Sequence, residues 1–267
     1  MHSQRKWKSI AQARVLICIF AAPLLAGAQT PSATQAPPEG RTRAANRERP
    51  AWPPEGPAPL NAEGKPDISG AWEPNAIRQN VNLASTGVEI PFQLGSYKLF
   101  TDRIASLSKD DPEGHCLPPG VPRMSTTPYP FRIMQTPAMT LIVYEGGAHI
   151  WRQIFTDGRP HTDDPNPSWL GESIGHWEGD DFVVDTIGLN GRSWIDESGL
   201  PTSDALHVIE RFHRIDLGHM SIEHTIDDPK TYTAPWKFTT HPTMLRGELM
   251  EYICQENNRD VDHLVGK

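Results

Sequence analysis

From Lys65 onward the chain alternates short apolar-patterned runs with turn residues. Thr140–Tyr144, His149–Phe155, Asp181–Thr186, Ala205–Ile215, His219–Ile226, Lys237–Thr240 and Leu249–Cys254 are rich in β-branched and aromatic side chains and read as strands. Glu145-Gly146-Gly147, Glu178-Gly179-Asp180-Asp181 and Asp216-Leu217-Gly218 read as the turns of hairpins. One helix is predicted, from about Ser96 to Leu107. Short strands at this spacing predict an all-β domain, an antiparallel barrel or sandwich, over residues 65–267.

Period-two alternation says which side chains share a face. Leu206, Val208, Glu210 and Phe212 fall on one side of their strand, and His207, Ile209, Arg211 and His213 on the other. Met220, Ile222, His224 and Ile226 form the apolar side of the next. If both apolar faces turn inward, Glu210 and His224 lie inside. Glu251 is a third interior candidate, although both faces of its run are apolar.

The N-terminal region follows different rules. Arg5, Lys6, Lys8 and Arg14 precede an apolar run, Val15–Leu25, and then Ala26-Gly27-Ala28, the pattern of a secretory signal peptide over residues 1–28. The run is well short of the roughly 20 residues a membrane span needs. Residues 29–64 hold eight prolines and no apolar periodicity, which predicts an extended, disordered tether anchored at most by Trp52 and Leu60. A periplasmic or secreted location follows.

Composition narrows the partners. Lys+Arg number 25 and Asp+Glu 33, a net charge of −8. Without the four basic residues of the leader the balance is 21 − 33 = −12. Such an acidic chain is a poor ligand for nucleic acid. Beyond the leader only Cys116 and Cys254 remain; in an oxidising compartment they are expected to form a disulfide, the alternative being two buried thiols. No metal is expected: neither His161 with Asp163 and Asp164 nor Asp227-Asp228 has the spacing of a zinc or calcium loop. No cofactor is expected either, since phosphate-cradling and dinucleotide motifs are lacking.

Gly70-Ala71-Trp72, at the point where the strands begin, resembles the Gly-x-Trp that opens lipocalin-type barrels. Longer segments carry a wider resemblance: Arg152–Pro160, Gly175–Asp180, Ile226–Lys230 with Tyr232 and Trp236, and Glu251–Asn257. In these the chain resembles a large family of secreted bacterial proteins with a lipocalin-like barrel, over most of Pro66 to Asp260. The resemblance implies a fold and a secreted life, and no particular activity. That family often has an aliphatic residue where this chain has His224, which weakens His224 as an essential group.

Three features bear on chemistry. A carboxylate among Leu206, Val208 and Phe212 must be hydrogen-bonded, paired or protonated, so Glu210 is a candidate acid or base. The alternative is an ion pair with Arg132, Arg152 or Arg246. The loop Phe155–Trp169 offers Asp157 and Arg159 to orient a substrate at the barrel mouth, His161 to assist as a proton carrier and Trp169 to stack on a ring; the plainer reading is a turn in which Arg159 pairs with Asp157 or Asp185. Trp151, Trp177, Phe182, Phe212 and other aromatics are expected to pack the core or line the barrel's end, with Phe212 and Glu251 as substrate contacts. The expected function is capture of a small apolar or aromatic molecule, with cofactor-independent isomerase, lyase or hydratase chemistry by Glu210, His224 and His161. The alternatives are a ligand-binding protein without turnover and an envelope module with a filled barrel. Oligomeric state is not readable.

Overall fold

The protein is described by a computed structural model covering residues 50–147 and 150–256. The expected signal peptide, residues 29–49 of the tether and His149 lie outside these. The tether's later part, Pro50–Gly64, runs along the sheet. Trp52 Nε1 donates to the Met244 carbonyl at 2.8 Å, Leu217 N–H to the Gly56 carbonyl, and Lys65 Nζ to the Gly179 carbonyl.

Among the described residues ten strands form one sheet: β1 (Gly70–Glu73), β2 (Phe131–Gln135), β3 (Met139–Tyr144), β4 (Trp151–Phe155), β5 (Glu172–Glu178), β6 (Asp181–Ile187), β7 (His207–Arg214), β8 (Met220–Asp227), β9 (Trp236–Thr240) and β10 (Thr243–Met244). Their order is β10-β1-β2-β3-β4-β5-β6-β7-β8-β9. The all-β class holds. The strand ladder, however, does not close into the expected barrel, because β9 and β10 end the order without pairing to each other. Nor is the sheet wholly antiparallel. β5 pairs with β4 in parallel, at Ile154 with Ser173 and Phe155 with Ile174. The segment between them must therefore cross back to the end of the sheet at which β4 begins before β5 can start.

Alternation sets the buried face as the sequence predicts. Val208, Glu210, Phe212 and Arg214 of β7 are buried, as are Met220, Ile222, His224 and Ile226 of β8. One apolar cluster gathers Trp72, Phe131, Ile142, Ile154, Phe182 and Phe212 from six strands. A second covers the far end of β7–β9, where Val208, Ile226 and Trp236 meet Leu83, Phe100 and Tyr232.

Among the described residues two α-helices flank the sheet. The short α1 (Ile77–Asn82) escaped the sequence reading, and α2 (Leu94–Ala105) matches the predicted helix. Helix α2 turns Phe100 onto Phe92, ring centroids 5.2 Å apart, and ends where Leu107 and Ser108 take positive φ.

Leu249–Cys254 is not a strand. β10 already occupies the outer edge of β1, and Leu245 N–H makes the last bond to it, at the Ala71 carbonyl. Glu251 is exposed rather than interior. The segment is held by Tyr252 against Tyr129 and by the Cys116–Cys254 disulfide.

Candidate functional site

Register brings an ion pair to the middle of the buried face. Glu210 lies opposite Val184 on one side and His224 on the other, and Arg152 projects from β4 across to it. Arg152 Nη1 donates to Glu210 Oε2 at 2.5 Å, Nε to Ser173 Oγ at 3.0 Å and Nη2 to Thr186 Oγ1 at 2.6 Å. Both charged side chains are 99–100% out of water. Of the three arginines open in the sequence, Arg152 is the partner. Burial alone would raise the Glu210 pKa; the Arg152 charge, with help from His224, outweighs it and holds the carboxyl down to about 2.

His224 stacks on Phe238 at 4.6 Å, and its Nε2 is 3.3 Å from Thr240 Oγ1. Its Nδ1 lies 3.3 Å from Glu210 Oε1, yet neither atom is aligned for a hydrogen bond. Phe212 is packed in the core beside Phe182, ring centroids 6.3 Å apart.

The loop after β4 does not join this centre. Asp157 and Arg159 pair with each other, Nη2 to Oδ2 at 2.6 Å, with the guanidinium 4.0 Å over the Phe155 ring. His161 sits between Glu172 and Asp185, 3.1 Å from each, and His207 reaches the same Asp185 oxygen at 2.7 Å. Burial opposes ionisation of Asp185, but its hydrogen bonds to His207 and His161 lower its pKa. Asp185 alternates with buried Val184 and Thr186, so His161 lies across the sheet from Glu210. Trp169 borders a small apolar cleft with Pro118, Trp151 and Leu170. Among the described residues no three His, Cys, Asp or Glu side chains converge to hold a metal ion.

Two recesses reach the buried face. One, of about 410 Å³, opens where β4 and β5 part, with Arg152 and Ser173 among its walls and Thr162, Asp164 and Glu172 on its rim. The other, of about 330 Å³, lies at the end of the sheet that carries the β2–β3 and β5–β6 turns. Its walls include Asn61, Gln135, Thr140, Gly175, Trp177 and Phe182. Gly158, between Asp157 and Arg159, also borders it. Glu210 lines neither recess.

Thr140 distinguishes the second recess. It is wholly buried, it faces inward between apolar neighbours on β3, and its hydroxyl has no hydrogen-bond partner. Trp177 and Phe182 stand 5.3 Å apart, tilted by 53°. Gly175 lets the core close onto β5: a Cβ there would meet the Phe182 ring at 2.6 Å and Ile154 at 2.8 Å. The sequence reading named Trp177 and Phe182 only as packing aromatics and passed over Thr140. The available signal was a lone threonine sharing a face with Ile142 and Tyr144.

A separate charged cluster lies outside the sheet. Arg123, 1% exposed, pairs with Asp111 at 2.7 Å and Glu113 at 2.9 Å. Burial raises the Glu113 pKa to about 7, beyond what Arg123 offsets. Since the folded value lies above the ordinary 4.5, stability is fully present below 4.5 and falls as pH rises to about 7. Glu113→Gln is expected to remove that slope and stabilise the protein by roughly 1–3 kcal/mol at pH 8. At pH 4.5 the two proteins should agree. Urea midpoints at the two pH values check this, and an equal difference at both would refute it.

No protein-family model, curated protein or solved structure matches the chain.

Proposed function

We propose that this is an extracytoplasmic binding protein that takes a small ring-bearing molecule into the recess formed by Thr140, Trp177 and Phe182. The observation that carries the reading is the buried Thr140 hydroxyl without a partner, in the wall of a cavity flanked by two aromatic rings. An unpaired buried hydroxyl costs free energy that a bound guest can restore. The rings supply a face on which a guest can stack. The 330 Å³ volume falls within the range of small-molecule sites.

Binding without turnover is the preferred form. Glu210 is held ionised by Arg152, which suits a structural pair better than an acid or base poised near neutral pH. One observation favours chemistry instead: Glu210 Oε1 and His224 Nδ1 face each other without an aligned bond. Under that second reading Glu210→Gln abolishes product formation while the fold survives.

Secretion is supported by the disulfide, by the leader's pattern and by the family resemblance. No helix among the described residues is long and apolar enough to cross a membrane. We also infer that the sheet is a lipocalin-like barrel with a loose seam. Only His241-Pro242 separates β9 from β10, and this stretch passes from β8 to β1. Met220 N–H donates to the Pro242 carbonyl, and Met244 N–H to the Gly218 carbonyl.

The uncharged dye N-phenyl-1-naphthylamine tests binding directly. One saturable site is expected, weakened roughly 3–10-fold by Trp177→Ala, the scale of one aromatic contact. Non-saturable binding, or an affinity untouched by that substitution in a protein with native circular dichroism, would defeat the proposal.

A further inference from the structure

We propose that the guest of the Thr140 recess is a neutral planar aromatic ring carrying a carbonyl oxygen. The inference rests on the binding reading above and adds the chemistry that the walls select.

Hydrogen-bond accounting makes the recess rich in donors. Asn61 Oδ1 accepts from the backbone N–H groups of Glu63 at 2.9 Å and Lys65 at 3.0 Å. Gln135 Oε1 accepts from the Ile68 N–H at 3.1 Å. A backbone N–H can only donate, so these contacts fix which end of each carboxamide is oxygen. Each amide therefore has its NH₂ group left to donate, with its carbonyl already committed. The Thr136 and Thr156 hydroxyls give their protons to the Met139 and Pro137 carbonyls, at 2.7 and 3.2 Å. The Thr140 hydroxyl, buried and unpartnered, stays free.

The remaining walls exclude the other classes. Trp177 lines the recess with Phe182 packed against it, an aromatic wall that favours a flat aromatic guest. Glu63 on the wall would meet a carboxylate or phosphate with like charge. An apolar ring without an acceptor would seal Thr140 in unpaired. A sugar's hydroxyl donors would find two of the wall's acceptors, the Asn61 and Gln135 carbonyls, already engaged.

Calorimetric titration of the full chain with three neutral probes tests the class. Coumarin has two fused rings and a carbonyl, naphthalene has two fused rings and no acceptor, and methyl β-glucoside is a sugar. Coumarin is expected to bind at least tenfold tighter than naphthalene, and the glucoside weakest. Thr140→Val should lower the coumarin-to-naphthalene ratio about tenfold, the scale of one buried hydrogen bond. Thr140→Ser, which keeps the hydroxyl, should retain the ratio. Equal affinity for coumarin and naphthalene, or a ratio unchanged by Thr140→Val, overturns the ligand class and leaves the binding reading standing. Preference for the glucoside does the same. Failure of all three probes to bind overturns both. Should Thr140→Val not fold, the ratio is read in Gln135→Glu, which replaces an NH₂ donor with an acceptor and is expected to lower it; an unchanged ratio there overturns the class.

Discussion

Arg152→Met is expected to destabilise the protein by about 3–5 kcal/mol, the usual cost of leaving one member of a buried pair without its partner. The substitution keeps most of the side-chain volume, so the loss reports charge rather than a cavity. Glu210 would remain wholly buried, and the Ser173 and Thr186 hydroxyls would each lose a charged donor. Removing both charges together, as Arg152→Met with Glu210→Leu, should recover much of the loss. Well-packed apolar residues often replace a buried ion pair with little net effect. The pH dependence should also change sign. In the native protein Glu210 titrates below its unfolded value of about 4.5, so its contribution is present above that pH and is lost as pH falls towards 2. Without Arg152 burial dominates and raises the same carboxyl, so stability should instead decline as pH rises above 4.5. Urea unfolding of the two single variants and the double variant at pH 3, 5 and 7 measures all of this. A coupling between the two residues below about 1 kcal/mol would show that the pair is not a unit.

That pair also marks how far the sequence can be read. Alternation in β7 and β8 was enough to turn Glu210 and His224 inward, because a two-residue period assigns faces without knowledge of the rest of the fold. It could not choose among Arg132, Arg152 and Arg246. The choice depends on β4 facing β7 across a curled sheet, three strands away in the strand order. Strand direction is equally silent in the pattern, so the parallel β4–β5 pairing was invisible, and with it the recess beside Arg152. Leu249–Cys254 misled for the opposite reason. Its β-forming composition is genuine, but both of its faces are apolar, so the pattern assigned it no buried side, and it joins no strand. In the loop after β4 the plainer reading gave the better geometry, since Asp157 and Arg159 do pair with each other. The Thr140 recess was the least legible feature. It forms only when Asn61–Glu63, far from β3 in sequence, packs across the end of the sheet.

Loss of the Cys116–Cys254 bond is the second large effect expected, and its size follows from what else holds the C-terminal segment. The two residues are 138 apart, and closing such a loop restricts the unfolded chain by about 5 kcal/mol in the chain-entropy model. That figure assumes the native state is unchanged when the bond is cut. Here it is not. Beyond Leu245 the main ties of the described segment are Met250 N–H to Glu145 Oε2 at 2.7 Å, the exposed Arg132–Glu248 pair and the Tyr252–Tyr129 contact at 4.7 Å. Without the disulfide this segment regains backbone freedom in the folded protein, at about 1–2 kcal/mol per residue released, which offsets part of the gain in the unfolded state. The expected net loss for Cys116→Ala with Cys254→Ala is therefore at the low end, about 2–3 kcal/mol. It should come with a local signature. Amide exchange at Met250 and Tyr252 should accelerate far more than exchange in β7 or β8, which lie inside the sheet. A full 5 kcal/mol loss with the segment still protected would mean that packing, rather than the covalent link, holds the C-terminal segment in place.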